Sequence, residues 1–430
     1  MRRRTIIGFA STLALMAGMA GCSSAVPGGG SDSGTTIEIH SNFTSDVARG
    51  KVLDELIAEF NEQHAGEYTV VSKGQPDWPT LQQQIRSKIS AGDAPDVFLY
   101  NYNPTDLSRE ESGQLLDWTA ALADDSAWKA RFKADQLDAL TVGGEIVGIP
   151  GDQSPALFYY NETMLEQAGI DEFPSTWEEL FTVAQTLKES GVGAISMMTA
   201  DDAWHTMNVF SYLATAAGGA DVYAPGADLD SPAISTAADY TKRLLALSTA
   251  DAVGGNYASS SSSFINGQSA MIVDGPWLIS SIQSGVEDPC SIKVAPAPTF
   301  DNGEIESGYT VTDSLNAWAA AKQDDPAKEE AVVEWMKFFT SNESAVRMAI
   351  DGEYPMAVQT DLSAEDSERA SCQVAQVLEI NNAAPTVIAQ MGRLITPAAQ
   401  SELPSMLEGL ALDRLSPEQF AADLQAANAE

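Results

Sequence analysis

Between Thr36 and Tyr100 the chain switches repeatedly between two hydrophobic periods, and this constrains the fold more than any other feature. Thr36 to Phe43 alternates apolar and polar residues, the period of a strand. Val47 to Gln63 then places Val52, Leu53, Leu56, Ile57 and Phe60 on one helical stripe. Tyr68 to Ser72 reads as a second strand, and Trp78 to Ser90 as a second helix with Leu81, Ile85 and Ile89 at four-residue spacing. Pro95 introduces Asp96-Val-Phe-Leu-Tyr100, a buried strand. Strand, helix, strand, helix, strand predicts a parallel α/β sheet. Ligands of such sheets bind beyond the carboxyl ends of the strands. That makes Asn42 and Phe43 in one turn, and Tyr100, Asn101 and Tyr102 in another, the first candidate site residues.

A chain of 430 residues is too long for one ordinary core, so two lobes are expected. A second α/β unit begins near Gly148, with a strand from Ala156 to Asn161 and a helix from Glu162 to Ala168. Thr176 is a helix N-cap with Glu178 and Glu179 in the following turn. Ala194 to Met198 and Ala270 to Val273 read as strands, Trp204 to Ala217 and Ile234 to Leu247 as helices. The serine run Ser259 to Ser263 reads as a helix-capping loop. Helices at Ala327–Thr340 and Glu343–Ile350 and a mostly helical tail complete the chain.

Arg2, Arg3 and Arg4 precede an uncharged run, Thr5 to Gly21, that ends in Met-Ala-Gly-Cys22. Three positive residues, a short apolar segment and small residues before a cysteine are the pattern of a lipoprotein signal, here residues 1–21. The expected mature chain starts at a lipidated Cys22, outside the cell, anchored to a membrane that it does not span. An uncleaved membrane helix is the alternative, and the run is short for a full span. Residues 22–36, rich in Ser and Gly, read as a flexible tether.

A formal charge of −38 argues against nucleic acid and against adhesion to anionic lipid. Of the three cysteines, Cys290 and Cys372 remain after lipidation of Cys22; they either pair or stay as buried thiols. The histidines His40, His64 and His205 are scattered, and no nucleophile elbow, phosphate loop or metal-ligand spacing occurs. No catalytic residue, cofactor or metal is expected.

Four blocks in fixed order carry a family likeness: Lys88-Ile-Ser-Ala-Gly-Asp-Ala-Pro-Asp-Val-Phe98 with Ser112-Gly-Gln-Leu-Leu116; Val147-Gly-Ile-Pro150 with Leu157-Phe-Tyr-Tyr-Asn161 and Pro174-Ser-Thr-Trp-Glu-Glu-Leu180; Phe264-Ile-Asn-Gly-Gln-Ser-Ala-Met-Ile-Val-Asp-Gly-Pro-Trp277; and Ala317-Trp-Ala-Ala-Ala-Lys322 with Glu334-Trp-Met-Lys-Phe-Phe339. The chain resembles the extracellular solute-binding proteins of carbohydrate ABC importers, the group that contains the maltose-binding protein. The resemblance implies an α/β two-lobe periplasmic-binding-protein fold, each lobe a mainly parallel sheet flanked by helices. It places residues 37–148 plus 300–342 in the first lobe and 149–299 plus 343–430 in the second. Hinge crossings are expected near Gly148–Gly151 and Pro298–Gly308. It also implies a monomer that captures a sugar between the lobes and delivers it to the importer's permease subunits.

Sugars present hydroxyl edges and flat C–H faces, so aromatic platforms and planar hydrogen-bonding groups are wanted. Trp277, after Gly275-Pro276 at a strand end, is the first choice, and in the family this Trp commonly stacks on sugar. Trp204, His205, Asp152, Asp274, Tyr309, Tyr354 and Trp78 are further candidates beside Tyr100, Asn101, Asn42 and Phe43. Trp177, Trp318 and Trp335 are expected in the core. The late tryptophan platform of maltose-type proteins has no counterpart after Trp335. Rival readings are a binder of polyamine, using Asp201, Asp202 and Asp274, of an iron chelate, using Tyr159-Tyr160, or of a peptide. A surface glycoside-active enzyme would need two carboxylates flanking a sugar.

Overall fold

The computed structural model of the protein describes residues 34–101, 113–152, 155–312 and 316–429. Cys22 and its lipidation, and Tyr102, lie outside these residues. Three strands predicted from the amino-terminal pattern form: β1 (Thr35–Ser41), β2 (Tyr68–Gly74) and β3 (Val97–Asn101). A small hairpin of β4 (Thr141–Val142) and β5 (Glu145–Ile146) leads to β6 (Ile149–Asp152). Next come β7 (Leu157–Asn161), β8 (Gly193–Ser196), β9 (Ser269–Asp274) and β10 (Ile292–Ala295). The last strands are β11 (Thr310–Thr312), β12 (Asn316–Ala320) and β13 (Val387–Ala389).

Two main sheets result, in the orders β2-β1-β3-β12-β6 and β10-β7-β9-β8. The α/β class holds; within each sheet the parallel strands are joined by antiparallel ones. β1 runs parallel to β2 and β3, whereas β12 lies antiparallel to both β3 and β6. In the second sheet β8 and β9 are parallel, and β7 is antiparallel to β9 and β10.

This register brings distant residues to one edge. The carboxyl ends of β1 and β3 lie beside the start of β12, because Asn316 pairs with Asn101. The end of β6 joins them, because Asn316 also pairs with Asp152. On the second sheet Leu157 pairs with Asp274, so the end of β9 faces the point where the chain enters from the first sheet.

Each sheet has its own core. Ile37 and Ile39 of β1 pack with Leu53, Leu56 and Phe60 of the Ala48–Gln63 helix and with Trp335 and Phe339. The second core surrounds the Trp204–Gly218 helix, whose residues are buried almost throughout. Trp177, Trp318 and Trp335 are buried, as expected.

Four segments differ from the sequence reading. β6, expected at the first crossing, pairs with β12 in the first sheet, and Pro155 bridges Thr312. The stretch expected to carry the second crossing, Pro298–Gly308, packs with the second sheet. Phe300, for all its Pro and Gly neighbours, packs on the second core, and backbone bonds from Trp177 N–H to Thr299 and from Glu304 N–H to Ala216 tie this stretch down. The Asn342–Ile350 helix places Ala345 and Met348 in the first core, since it packs on the Ala48–Gln63 helix. The serine run is part of a helix, Tyr257–Ile265: Asn256 caps it by accepting from Ser259 N–H, and Ser261 Oγ bonds back to Tyr257 O.

Cys290 and Cys372 form a disulfide with 5.7 Å between Cα atoms. It joins the entry to β10 with the Cys372–Ala383 helix, which Gln373 also holds by donating to Pro289 O and Ile292 O, each at 2.6 Å. The bond closes a span of 82 residues, so its removal relaxes the unfolded chain by about 4 kcal/mol on the chain-entropy account. The paired Cys290→Ser, Cys372→Ser variant should melt several degrees below the parent, and dithiothreitol should lower the parent's Tm alike. Equal melting of parent and variant would contradict a bonded pair.

Candidate functional site

β9 is buried over its whole length and ends at Asp274-Gly275-Pro276-Trp277. The Trp277 indole folds back over Gly275: a Cβ there would come within 2.3 Å of the ring. Only glycine permits that approach. Asp274 is fully buried, and its carboxylate accepts from Gly275 N–H at 2.7 Å. Its other oxygen lies 3.3 Å from His205 Nε2, and His205 Nδ1 lies 2.8 Å from Ser260 Oγ. A carboxylate removed from water needs such partners.

His205 belongs to the first turn of the Trp204–Gly218 helix. The approach to that helix is strained, with Asp201 at φ 56° and Ala203 at φ 52°. Left-handed non-glycine residues cost on the order of 1–2 kcal/mol each and concentrate where geometry serves a site. The result is an aromatic cluster. The Trp204 ring lies 5.3 Å from Trp277, 4.9 Å from His205 and 6.4 Å from Tyr257. Trp277 is half-buried and Tyr257 is 38 % exposed, whereas Trp204 is buried at 8 % with only an edge left open. The Tyr257 hydroxyl is enclosed, and burial pushes its pKa well up, with the Asp274 carboxylate adding to the effect. Arg49 and a hydrogen bond with the Trp277 indole pull the other way.

Arg49 comes from the Ala48–Gln63 helix on the first sheet. Its guanidinium sits 5.4 Å from the Phe43 ring centre and 5.5 Å from that of Tyr354. Trp277 packs against the core of the first sheet. The aromatic cluster of one lobe therefore meets the carboxyl edge of the other. On that edge the side-chain oxygens of Asn42 and Asn101 are buried without hydrogen-bond partners.

Several sequence candidates take other roles. Phe43 and Tyr354 are buried and pack edge-on at 5.1 Å beneath Arg49, so neither offers a face to a ligand. Tyr100 is buried with Phe98 in a cluster on the other face of the first sheet. Tyr309 is fully buried and donates its hydroxyl to Tyr212 O at 2.8 Å. His205 and Asp274 are sealed behind the aromatic rings as support. Trp78 is half-buried at the rim of the first lobe's cores. Asp152 closes β6; its side chain is not among those described. Tyr257, Ser260 and Arg49 were not singled out from the sequence. The Asn256 cap is the signal that would have turned the serine run into a helix and Tyr257 into its first residue.

Ser260, His205 and Asp274 carry the residue types of a nucleophilic triad. All three are buried, so a substrate carbonyl cannot reach Ser260, and the chain of bonds is a brace. Tyr159 lies in the core while Tyr160 faces the other side of β7, so they make no iron-binding pair. A separate cavity of about 470 Å³ runs beside the crossings, lined by Arg131, Phe132, Pro155, Thr310, Met356 and Val358, and shares no residue with the aromatic cluster.

A two-lobe body with its aromatic and polar residues at the junction matches a known family. The sequence profile described as bacterial extracellular solute-binding protein covers residues 44–346. The chain belongs to that family. It is 23% identical over 306 residues to the maltodextrin-binding protein of Bacillus subtilis, covering 69% of this chain and 68% of that one. A binding protein of Brucella abortus is 25% identical over 291 residues; the match spans 62% of this chain and 65% of the relative's length. Among solved structures, a chitin oligosaccharide binding protein superposes with TM-score 0.77 at 20% identity, covering 92% of this chain and 100% of its own. A protein from work on xylan utilization by Caldanaerobius polysaccharolyticus gives TM-score 0.76 at 19% identity over 91% of this chain and 99% of its own. These likenesses establish the two-lobe fold of solute-binding proteins. Among the described residues no helix is long and apolar enough to cross a membrane.

The brace predicts a stability effect. His205→Ala leaves Asp274 buried without its ring partner, and unfolding free energy should fall by about 3–5 kcal/mol in chemical denaturation. A loss under about 1 kcal/mol would mean that the carboxylate is not held by this pair.

Proposed function

We propose that this protein captures a carbohydrate between its lobes and delivers it to the membrane subunits of an ABC importer, without chemical turnover. The observation that carries the reading is the cluster of Trp204, Tyr257 and Trp277 facing the edge that holds Asn42, Asn101 and Arg49. Flat aromatic faces suit the C–H faces of a pyranose, and amide and guanidinium groups suit its hydroxyls. Similar proteins support the class: a sequence relative binds maltodextrin, and proteins of this fold bind chitin oligosaccharide and raffinose. The family is one of binding proteins.

Closure follows from the site's division between lobes. A ligand that touches both lobes binds the closed form better than the open one and shifts the population toward it. We assign the first lobe to the sheet that contains β1, β2, β3, β12 and β6 and the second to the sheet that contains β7 to β10. The signal pattern in residues 1–22 supports a body tethered by a lipidated Cys22 on the outer face of the cytoplasmic membrane. A polyamine reading loses Asp274, whose carboxylate is already enclosed.

A thermal-shift screen of residues 22–430 against mono- and oligosaccharides, with spermidine, ferric citrate and short peptides alongside, tests the class. A saccharide at 100-fold excess over its Kd should raise stability by about 2.7 kcal/mol. Trp277→Ala and Gly275→Ala, the latter by displacing the indole, should lower affinity for that saccharide at least tenfold while the protein stays folded. A shift with a non-sugar alone, or unchanged affinity in both variants, would overturn the reading.

A further inference from the structure

The Arg49 guanidinium is placed as a ligand group rather than as a structural one. It is half-buried between the rings of Phe43 and Tyr354, yet its Nε is buried with no hydrogen-bond partner. Buried donors are almost always satisfied, and an exception calls for a missing partner. No carboxylate among the described residues supplies it. Asp46, three positions earlier, is fully exposed; its carboxyl is held below the usual range chiefly by the Thr44 hydroxyl, with Arg49 a minor influence. Asp274, across the cleft, is already taken by His205 and Gly275 N–H. Glu353, beside Tyr354, bonds to Ser280 Oγ at 2.5 Å.

The position of Arg49 is also rigidly set. A Cβ at Gly50 would meet Thr44 O at 1.9 Å, and one at Gly352 would come within 3.3 Å of the Arg49 Cα. Backbone crowds the residue from both sides, and aromatic rings flank the guanidinium. The fork of in-plane donors is what remains for a partner. A planar guanidinium with open donors matches a carboxylate or phosphate, which takes two parallel N–H bonds and cancels the charge; a neutral hydroxyl takes one and cancels none. The protein's overall negative charge does not forbid this, because at physiological salt the field is screened beyond about 8 Å.

We propose that the ligand is an anionic saccharide, with a carboxylate or phosphate held by Arg49 and a sugar ring against Trp204, Tyr257 and Trp277. This rests on the carbohydrate reading above and narrows it. Isothermal titration of the parent, Arg49→Gln and Arg49→Lys with trigalacturonate, glucose 6-phosphate, maltotriose and xylotriose tests it. Trigalacturonate binding marks the carboxylate source, and glucose 6-phosphate binding the phosphate source. Either should lose at least tenfold in affinity in Arg49→Gln and less in Arg49→Lys, with circular dichroism and Tm unchanged. A neutral trisaccharide bound more tightly than both anions, or bound alone, overturns this inference and leaves the carbohydrate reading standing. Binding of no saccharide of either kind by the parent overturns both.

Discussion

The second lobe's face of the cleft depends on one buried carboxylate. Asp274 ends β9, and its two oxygens join three elements: its own turn through Gly275 N–H, the Trp204–Gly218 helix through His205, and through His205 the Tyr257–Ile265 helix at Ser260. Each of those elements presents one ring of the aromatic cluster: Trp277, Trp204 and Tyr257. A charged group in such a place is not there for net stability, since a well-packed apolar replacement is often as stable. Its effect is geometric. It sets the spacing of three rings that come from three separate elements, spread between Trp204 and Trp277.

Backbone strain and close approach complete the arrangement. Left-handed Asp201 and Ala203 turn the chain into the helix so that its first residue packs against Trp277. Gly275 lets the indole lie on the backbone, which fixes the ring plane at little side-chain entropy cost. The opposite wall is built from a different stock: Arg49 and two asparagines at strand ends. One wall is apolar and rigid, the other polar with open hydrogen-bonding groups. A ligand must satisfy both at once, which is what makes binding favour closure.

The fold was legible because its signal is local. The alternation from Thr36 to Tyr100 needs only neighbours in sequence, and the predicted strands and helices there match the observed ones closely. The site was legible only in part. Trp277 and Trp204 follow from their places at a strand end and a helix start. Tyr100, Tyr309 and Tyr354 satisfied the same kind of argument, yet they are buried, because which face a ring takes depends on what a distant segment packs against it. Tyr309 meets Tyr212, about a hundred residues away. The serine run hid Tyr257, since serine reads as loop until its cap is noticed. Arg49 hid in a helix whose stripe drew attention to its apolar face.

The two walls are tied together at more than one point of the chain. Pro155 and Thr312 form a bridge close to the ends of β6 and β12. A later stretch adds another connection. Tyr354 and Met356 belong to the first core and Ala357 N–H bonds to Gly151 O, while Glu353, at φ 51°, reaches Ser280 in the helix that follows Trp277. Glu353 is thus held by the helix that carries one wall, and its neighbour Tyr354 lies under Arg49 of the other. Two consecutive residues, strained Glu353 and Tyr354, therefore connect the helix after Trp277 with the Arg49 guanidinium, a far shorter link than the sheets provide.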